Sequence, residues 1–140
     1  MTASNKAVLI IEDDPDLVGL LEYNLKKEGF EVLKAYSGVQ GIWEVVVKNR
    51  PNCILLDLMM PSPDGFELCD FLKLSEDYRD IPLIVLSARG ESETIEKVMN
   101  LGADAFVPKP FSMDSLIHMV HRYCSRGPGI HPTYQVRGLD

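Results

Sequence analysis

Four acidic residues crowd five positions near the start of the chain: Glu12, Asp13, Asp14 and Asp16 in "LIIEDDPDL", with no cation among them. Asp14 precedes Pro15 and reads as an N-cap before a first helical residue. Asp16 then falls in the first turn, where the helix dipole favours negative charge. Glu12 and Asp13 remain, at the end of an apolar run. Asp57 closes a second run, "CILLD"; Ser87 closes "PLIVLS"; Lys109 stands between two prolines just after "AFVP". Crowded carboxylates raise one another's pKa, whereas a hard divalent cation with oxygen ligands favours their ionised forms. Magnesium is the economical ion, because it keeps several waters and takes one or two carboxylates together with phosphate oxygens. Lys109 supplies a point charge for a second phosphoryl oxygen and Ser87 a hydroxyl donor for a third. That set suits in-line phosphoryl transfer.

Such residues meet only if the elements carrying them are parallel. The short apolar runs 7–11, 31–36, 53–57, 82–87 and 105–108 read as five strands, several continuously apolar as strands covered on both faces tend to be. Between them lie five helical stripes: Leu17, Leu20, Leu21 and Leu25; Ile42, Val45 and Val46; Leu68, Phe71 and Leu72; Ile95, Val98 and Met99; Leu116, Met119, Val120 and Tyr123. Gly29 and Gly102 stand where C-terminal caps belong, and Ser112 starts the last helix. Strict βα alternation requires crossover connections, hence an α/β fold with one five-stranded parallel sheet and helices on both faces. In such sheets ligands bind at the carboxyl ends of the strands, where Glu12, Asp13, Asp57, Ser87 and Lys109 all fall.

Composition bounds the alternatives. The 140 residues, 46% hydrophobic, make one domain with its own core, covering 1–125. Residues 126–140, rich in Gly and Pro, read as a poorly ordered tail or linker. A net charge of -7 argues against direct nucleic-acid binding by this segment or an anionic membrane surface. Cys53, Cys69 and Cys124 form no CxxC pair and suggest neither a disulfide framework nor a zinc site. Cys53 and Cys69 read as small core residues and Cys124 as a helix-end thiol. With no signal peptide and no membrane-length stretch, the expected location is cytoplasmic.

From about Ala7 to Tyr123, "LIIEDD", "LLDLMMPSPDGFEL", "PLIVLSA" and "GADAFVPKPF" resemble the receiver domain of two-component response regulators, in family order and spacing. The resemblance implies a doubly wound, flavodoxin-like sheet of order 2-1-3-4-5 with five helices. It implies Asp57 as the phosphoacceptor, served by a histidine kinase or histidine phosphotransfer protein, and a downstream effector domain or protein as partner. Glu12, Asp13, Asp57 and the backbone carbonyl of Met59 become the magnesium ligands, Glu12 through water. Lys109 pairs with the aspartate and its phosphoryl group, and the Lys109–Pro110 bond is cis. Ser87 and Phe106 are the switch pair, with Phe106 swinging inward as Ser87 moves toward the phosphate. Ser stands for the commoner Thr, and Phe for the commoner Tyr.

Met59 and Arg89 flank the phosphoryl group in the resemblance and tune its lifetime. Met59 cannot orient water, so self-dephosphorylation is expected to be slow. The resemblance implies a module that catalyses its own aspartyl phosphorylation and slow dephosphorylation, and leaves open whether it is to be counted an enzyme, since it is not a conventional turnover enzyme. Output is expected on the face of the fourth helix, fifth strand and fifth helix. A phosphorylation-dependent homodimer stays open, but the acidic residue of the dimer-forming subclass is replaced here by Ala105. Ile117 and His118 stand where the last helix would carry Arg. Two other readings compete. One is a receiver-fold interaction module independent of phosphorylation, whose usual sign, loss of an acidic or lysine site residue, is absent here. The other is an aspartyl phosphatase, which would need Asp where Met59 stands.

Overall fold

The computed structural model describes residues 6–48 and 50–125. Five strands alternate with five helices: β1 (Ala7–Ile11), α1 (Pro15–Lys27), β2 (Glu31–Ala35), α2 (Gly38–Trp43), β3 (Cys53–Asp57), α3 (Gly65–Leu74), β4 (Leu83–Ser87), α4 (Ser92–Asn100), β5 (Ala105–Pro108) and α5 (Met113–Cys124). All neighbouring strands pair in parallel, in the order β2-β1-β3-β4-β5. Helices on both faces complete the flavodoxin-like arrangement that the sequence leads one to expect. The tail expected over 126–140 lies outside the described residues.

Period-two alternation sends each strand's side chains into two cores. Leu9, Ile11, Ile54, Leu56, Leu83, Val85 and Phe106 face the side of α2, α3 and α4. Val8, Ile10, Cys53, Leu55, Ile84, Leu86, Ala105 and Val107 face α1 and α5. Every residue of β3 and β4 is buried, as central strands covered on both faces require, while the edge strand β2 is largely open.

Helix ends follow local chemistry. Asp14 caps α1 by accepting from the Asp16 amide, with Pro15 next; Ser112 caps α5 through the Ser115 amide. Gly29 and Gly102 take φ of 94° and 111° just past their helices, a conformation that glycine adopts without steric cost. At α3 a reciprocal capping box joins Asp64 and Glu67. Gly65 then lets α3 start hard against the end of β3. A Cβ there would lie 2.4 Å from Leu58 Cα and 2.8 Å from the Asp57 carbonyl oxygen.

Three stripe positions turn out differently from the helical reading. The chain after α2 continues as a π-helical turn, Glu44–Lys48, which buries Val45 but leaves Val46 45% exposed. A wider turn rotates the residues beyond it off the inward stripe. Leu20 and Phe71 sit at the margins of theirs and are also exposed; Phe71 stacks on Tyr78 with ring centroids 6.3 Å apart. A second cis bond, Ser62–Pro63, accompanies the expected one at Lys109–Pro110.

Candidate functional site

The carboxyl ends of four strands deliver the site. Hydrogen bonds just beyond the strands fix the backbone there: the Glu12 amide donates to Ala35 O at 3.0 Å, Leu58 to Leu86 O at 3.0 Å and Lys109 to Ser87 O at 2.8 Å. Side chains on these residues therefore start from rigid positions. Glu12, Asp57 and Ser87 are buried, Asp13 is exposed at the rim, and Lys109 is half-buried between.

Lys109 Nζ lies 3.1 Å from Glu12 Oε1 and 3.4 Å from Asp57 Oδ1. Asp57 Oδ1 also accepts from the Met59 amide at 3.2 Å, and Glu12 Oε2 accepts from the Asp14 amide at 3.1 Å. One ammonium thus serves two buried carboxylates, and Asp13 adds a third negative charge. Burial pushes the Asp57 carboxyl above its ordinary range, with the charge of Asp13 adding to it and Lys109 and the Met59 amide opposing. Burial likewise raises Glu12, aided by the charge of Asp57, against the Asp14 amide and Lys109. For Lys109, burial disfavours the cation, but the Glu12 hydrogen bond and the Asp57 charge outweigh it and the pKa rises. The pocket therefore holds one firmly charged ammonium and more negative charge than that ammonium compensates.

Glu12, Asp13 and Asp57 each place a carboxylate oxygen within 4.8 Å of the others. Oxygen ligands of one octahedral magnesium ion stand about 3 to 4 Å apart, close to the spacing of these three carboxylates. The donor set is hard oxygen throughout, which suits magnesium or calcium rather than a thiophilic metal.

The remaining predicted residues surround this centre. Ser87 Oγ accepts from the Arg89 amide at 3.0 Å, which leaves its proton to donate elsewhere. Phe106 is completely buried in the core on the α4 side, so its ring already holds the inward place. The Arg89 side chain is exposed, 3.6 Å from Glu91, and Met59 is 44% exposed at the mouth of the pocket.

Sequence reasoning missed a second charged pair, at the other edge of the sheet. Lys73 Nζ lies 2.9 Å from Asp104 Oδ2 and donates to the carbonyls of Arg79 and Ile81. Asp104 Oδ2 also accepts from the Leu83 amide at 2.8 Å, so the pair ties α3 to β4 and the start of β5. Asp104 lies within the recognised "GADAFVPKPF", and only the fold reveals its partner.

Fold and pocket together define an open α/β domain that gathers carboxylates, a lysine and a hydroxyl at its strand ends. The chain belongs to the response regulator receiver domain family, whose family model matches residues 8–121. It is 35% identical over 119 residues to the DNA-binding dual master transcriptional regulator RpaA of Synechocystis sp., a match covering 85% of this chain and 49% of that protein. The chain thus spans about half the length of this curated relative. Among solved structures it superposes on the Francisella response regulator 1452 receiver domain with TM-score 0.80 at 29% identity, covering 87% of this chain and 98% of that one. It also matches the signal receiver domain of a signal transduction histidine kinase from Syntrophus aciditrophicus, with TM-score 0.80 at 30% identity, covering 89% and 96%. No helix among the described residues is long and apolar enough to cross a membrane.

Proposed function

We propose that this receiver domain accepts a phosphoryl group on Asp57 from a phosphohistidine donor, with magnesium bound by Glu12, Asp13 and Asp57. The observation that carries the reading is the convergence of those three carboxylates with Lys109 at one sheet edge. Lys109 and the Met59 amide both engage Asp57 Oδ1, so Oδ2 is assigned as the attacking oxygen. Its bond to phosphorus forms as the N–P bond of the donor imidazole breaks, and the histidine leaves with that electron pair. Magnesium, when bound, neutralises charge on the transferring oxygens. The Met59 backbone carbonyl is assigned as its further ligand.

Lys109 then moves its ammonium from Asp57 to the phosphoryl oxygens, and the Ser87 hydroxyl donates to another of them. The new group adds roughly 1.5 to 2 negative charges. Ser87 and Phe106 occupy β4 and β5, beneath α4, so the shift of Ser87 is passed to the α4–β5–α5 face. That face is the proposed effector surface, and a histidine kinase or phosphotransfer protein is the proposed donor. Incubation with magnesium and a small acyl phosphate, followed by peptide mass spectrometry, should locate one phosphoryl group on Asp57. A chelator should abolish it. Modification elsewhere, or none with magnesium present, would sink the assignment and favour an interaction module independent of phosphorylation.

The half-exposed thioether of Met59 has no hydrogen bond to offer an attacking water. Met59→Asn is therefore expected to shorten the phosphoryl lifetime severalfold, read as the decay of phosphorylated protein after donor removal. An unchanged decay would remove Met59 from the lifetime argument.

A further inference from the structure

Two thiols meet at the sheet edge opposite the acidic pocket. Cys53 opens β3 and Cys124 closes α5; both are buried in the core that faces α1 and α5, and neither is in a disulfide. Their side chains interact with each other within that core, although the two residues stand far apart in sequence. Lys6 Nζ sits beside them, 3.1 Å from the Cys124 carbonyl oxygen. A cleft of about 150 Å³ opens at Cys124, with Lys6, Arg50, Asn52 and Asp80 among its lining residues. Small polar solutes thus have a way in from solvent as far as Cys124.

The pair is also polarised. The hydrogen bond from Cys53 lowers the Cys124 thiol below its ordinary value, against burial and with help from the Lys6 charge. The same hydrogen bond, together with burial, pushes Cys53 well up. Cys69, on the other side of the sheet, is pushed up by burial to about 12. One of the three thiols is therefore set up to attack, with another beside it to finish the reaction.

We propose that Cys53 and Cys124 are a redox modification site, oxidised by hydroperoxides to a disulfide that fastens the end of α5 to the start of β3. Cys124 sulfur attacks one peroxide oxygen: the S–O bond forms, the O–O bond breaks, and the departing hydroxide takes the thiol proton and leaves as water. Cys124 is then a sulfenic acid. Cys53 sulfur gives up its proton and attacks Cys124 sulfur: the S–S bond forms, the S–O bond breaks, and hydroxide leaves with that proton as a second water. Two thiols lose two electrons and hydrogen peroxide becomes two waters. The cross-link fixes the helix end from which residues 126–140 continue, at the far end of α5 from the phosphoacceptor pocket. Oxidation would thereby restrain the movement of α5 while leaving Asp57 untouched.

Reduced protein treated with a few equivalents of hydrogen peroxide, quenched with iodoacetamide and digested without reductant should yield a linked Cys53–Cys124 peptide. Cys69 should stay fully alkylated. Dithiothreitol should reverse the link, and in the untreated native protein Cys124 should alkylate about ten-fold faster than either other cysteine. Cys69→Ser should retain the link and Cys124→Ser should lose it. Because the wild-type peptide map needs no variant, an unfolded substitution leaves the test intact. The inference fails if Cys124 proceeds to sulfinic acid while Cys53 stays alkylatable, if Cys69 is oxidised first, or if no thiol is lost.

Discussion

Asp57→Asn is expected to remove all phosphoryl incorporation and, in the same protein, to raise the melting temperature of the magnesium-free domain. The first effect follows from replacing the carboxylate proposed as the nucleophile by an amide. The second follows from the charge balance of the pocket. Burial raises the pKa of Asp57 in the folded state, so the native protein binds this proton more tightly than the unfolded chain does. That preference favours folding below the unfolded pKa and is lost as pH rises through the folded value. Near pH 7 the ionised carboxylate therefore costs stability. The amide removes this cost while Lys109 keeps Glu12 as its partner, 3.1 Å away.

Relief of about 1 kcal/mol would raise the midpoint by roughly 4 °C in a domain of this size. The gain should vanish as pH falls below the ordinary carboxylate range, where the wild-type Asp57 is also neutral. Magnesium should invert the order, since it stabilises the form with three carboxylates by mass action and the variant keeps only two. Calorimetric scans with and without magnesium at pH 7, and without it at pH 3, check all three signs. A variant less stable than wild type in metal-free buffer at pH 7 would contradict the picture of an undercompensated pocket.

Much of this site is legible in the sequence because a parallel α/β fold converts linear order into proximity. Once "AVLII", "CILLD", "LIVLS" and "AFVP" are strands running the same way, Glu12, Asp57, Ser87 and Lys109 must arrive at one edge. The local devices are equally readable: Asp14 before Pro15, Ser112 before α5, and Gly29 and Gly102 after their helices each act within a few residues. What resists reading depends on a partner distant in sequence or on a small departure from ideal geometry. Nothing near Lys73 announces Asp104, and nothing near Cys53 announces Cys124; each pair exists only because α3 or α5 packs where it does. The π-helical turn at Glu44–Lys48 is hidden for the second reason. Val45 and Val46 both fit an ordinary amphipathic stripe until the turn widens and only Val45 stays inside.

Lys109→Met should cut the rate of phosphorylation by an acyl phosphate about 100-fold, the usual scale for deleting one preorganised electrostatic contact to a developing transition-state charge. Methionine fills the volume of the lysine stem but offers no charge, so the loss isolates the ammonium. Its removal also leaves Glu12 and Asp57 without their shared cation. Breaking a fully buried pair costs about 3–5 kcal/mol. The Lys109 side chain keeps 24% of its exposure, so solvent screening reduces the expected loss to about 1–3 kcal/mol. The metal-free variant should accordingly melt below wild type, opposite in sign to Asp57→Asn.

Magnesium affinity should move the other way and increase, because the ion no longer competes with an ammonium that partly offsets the carboxylate charge. Titration calorimetry at pH 7 separates this outcome from a generally damaged pocket, which would bind the ion less tightly. Slower phosphorylation with tighter magnesium binding would place the role of Lys109 on the phosphoryl group itself. An unchanged phosphorylation rate would instead reduce Lys109 to a counter-ion that merely keeps the empty carboxylates apart.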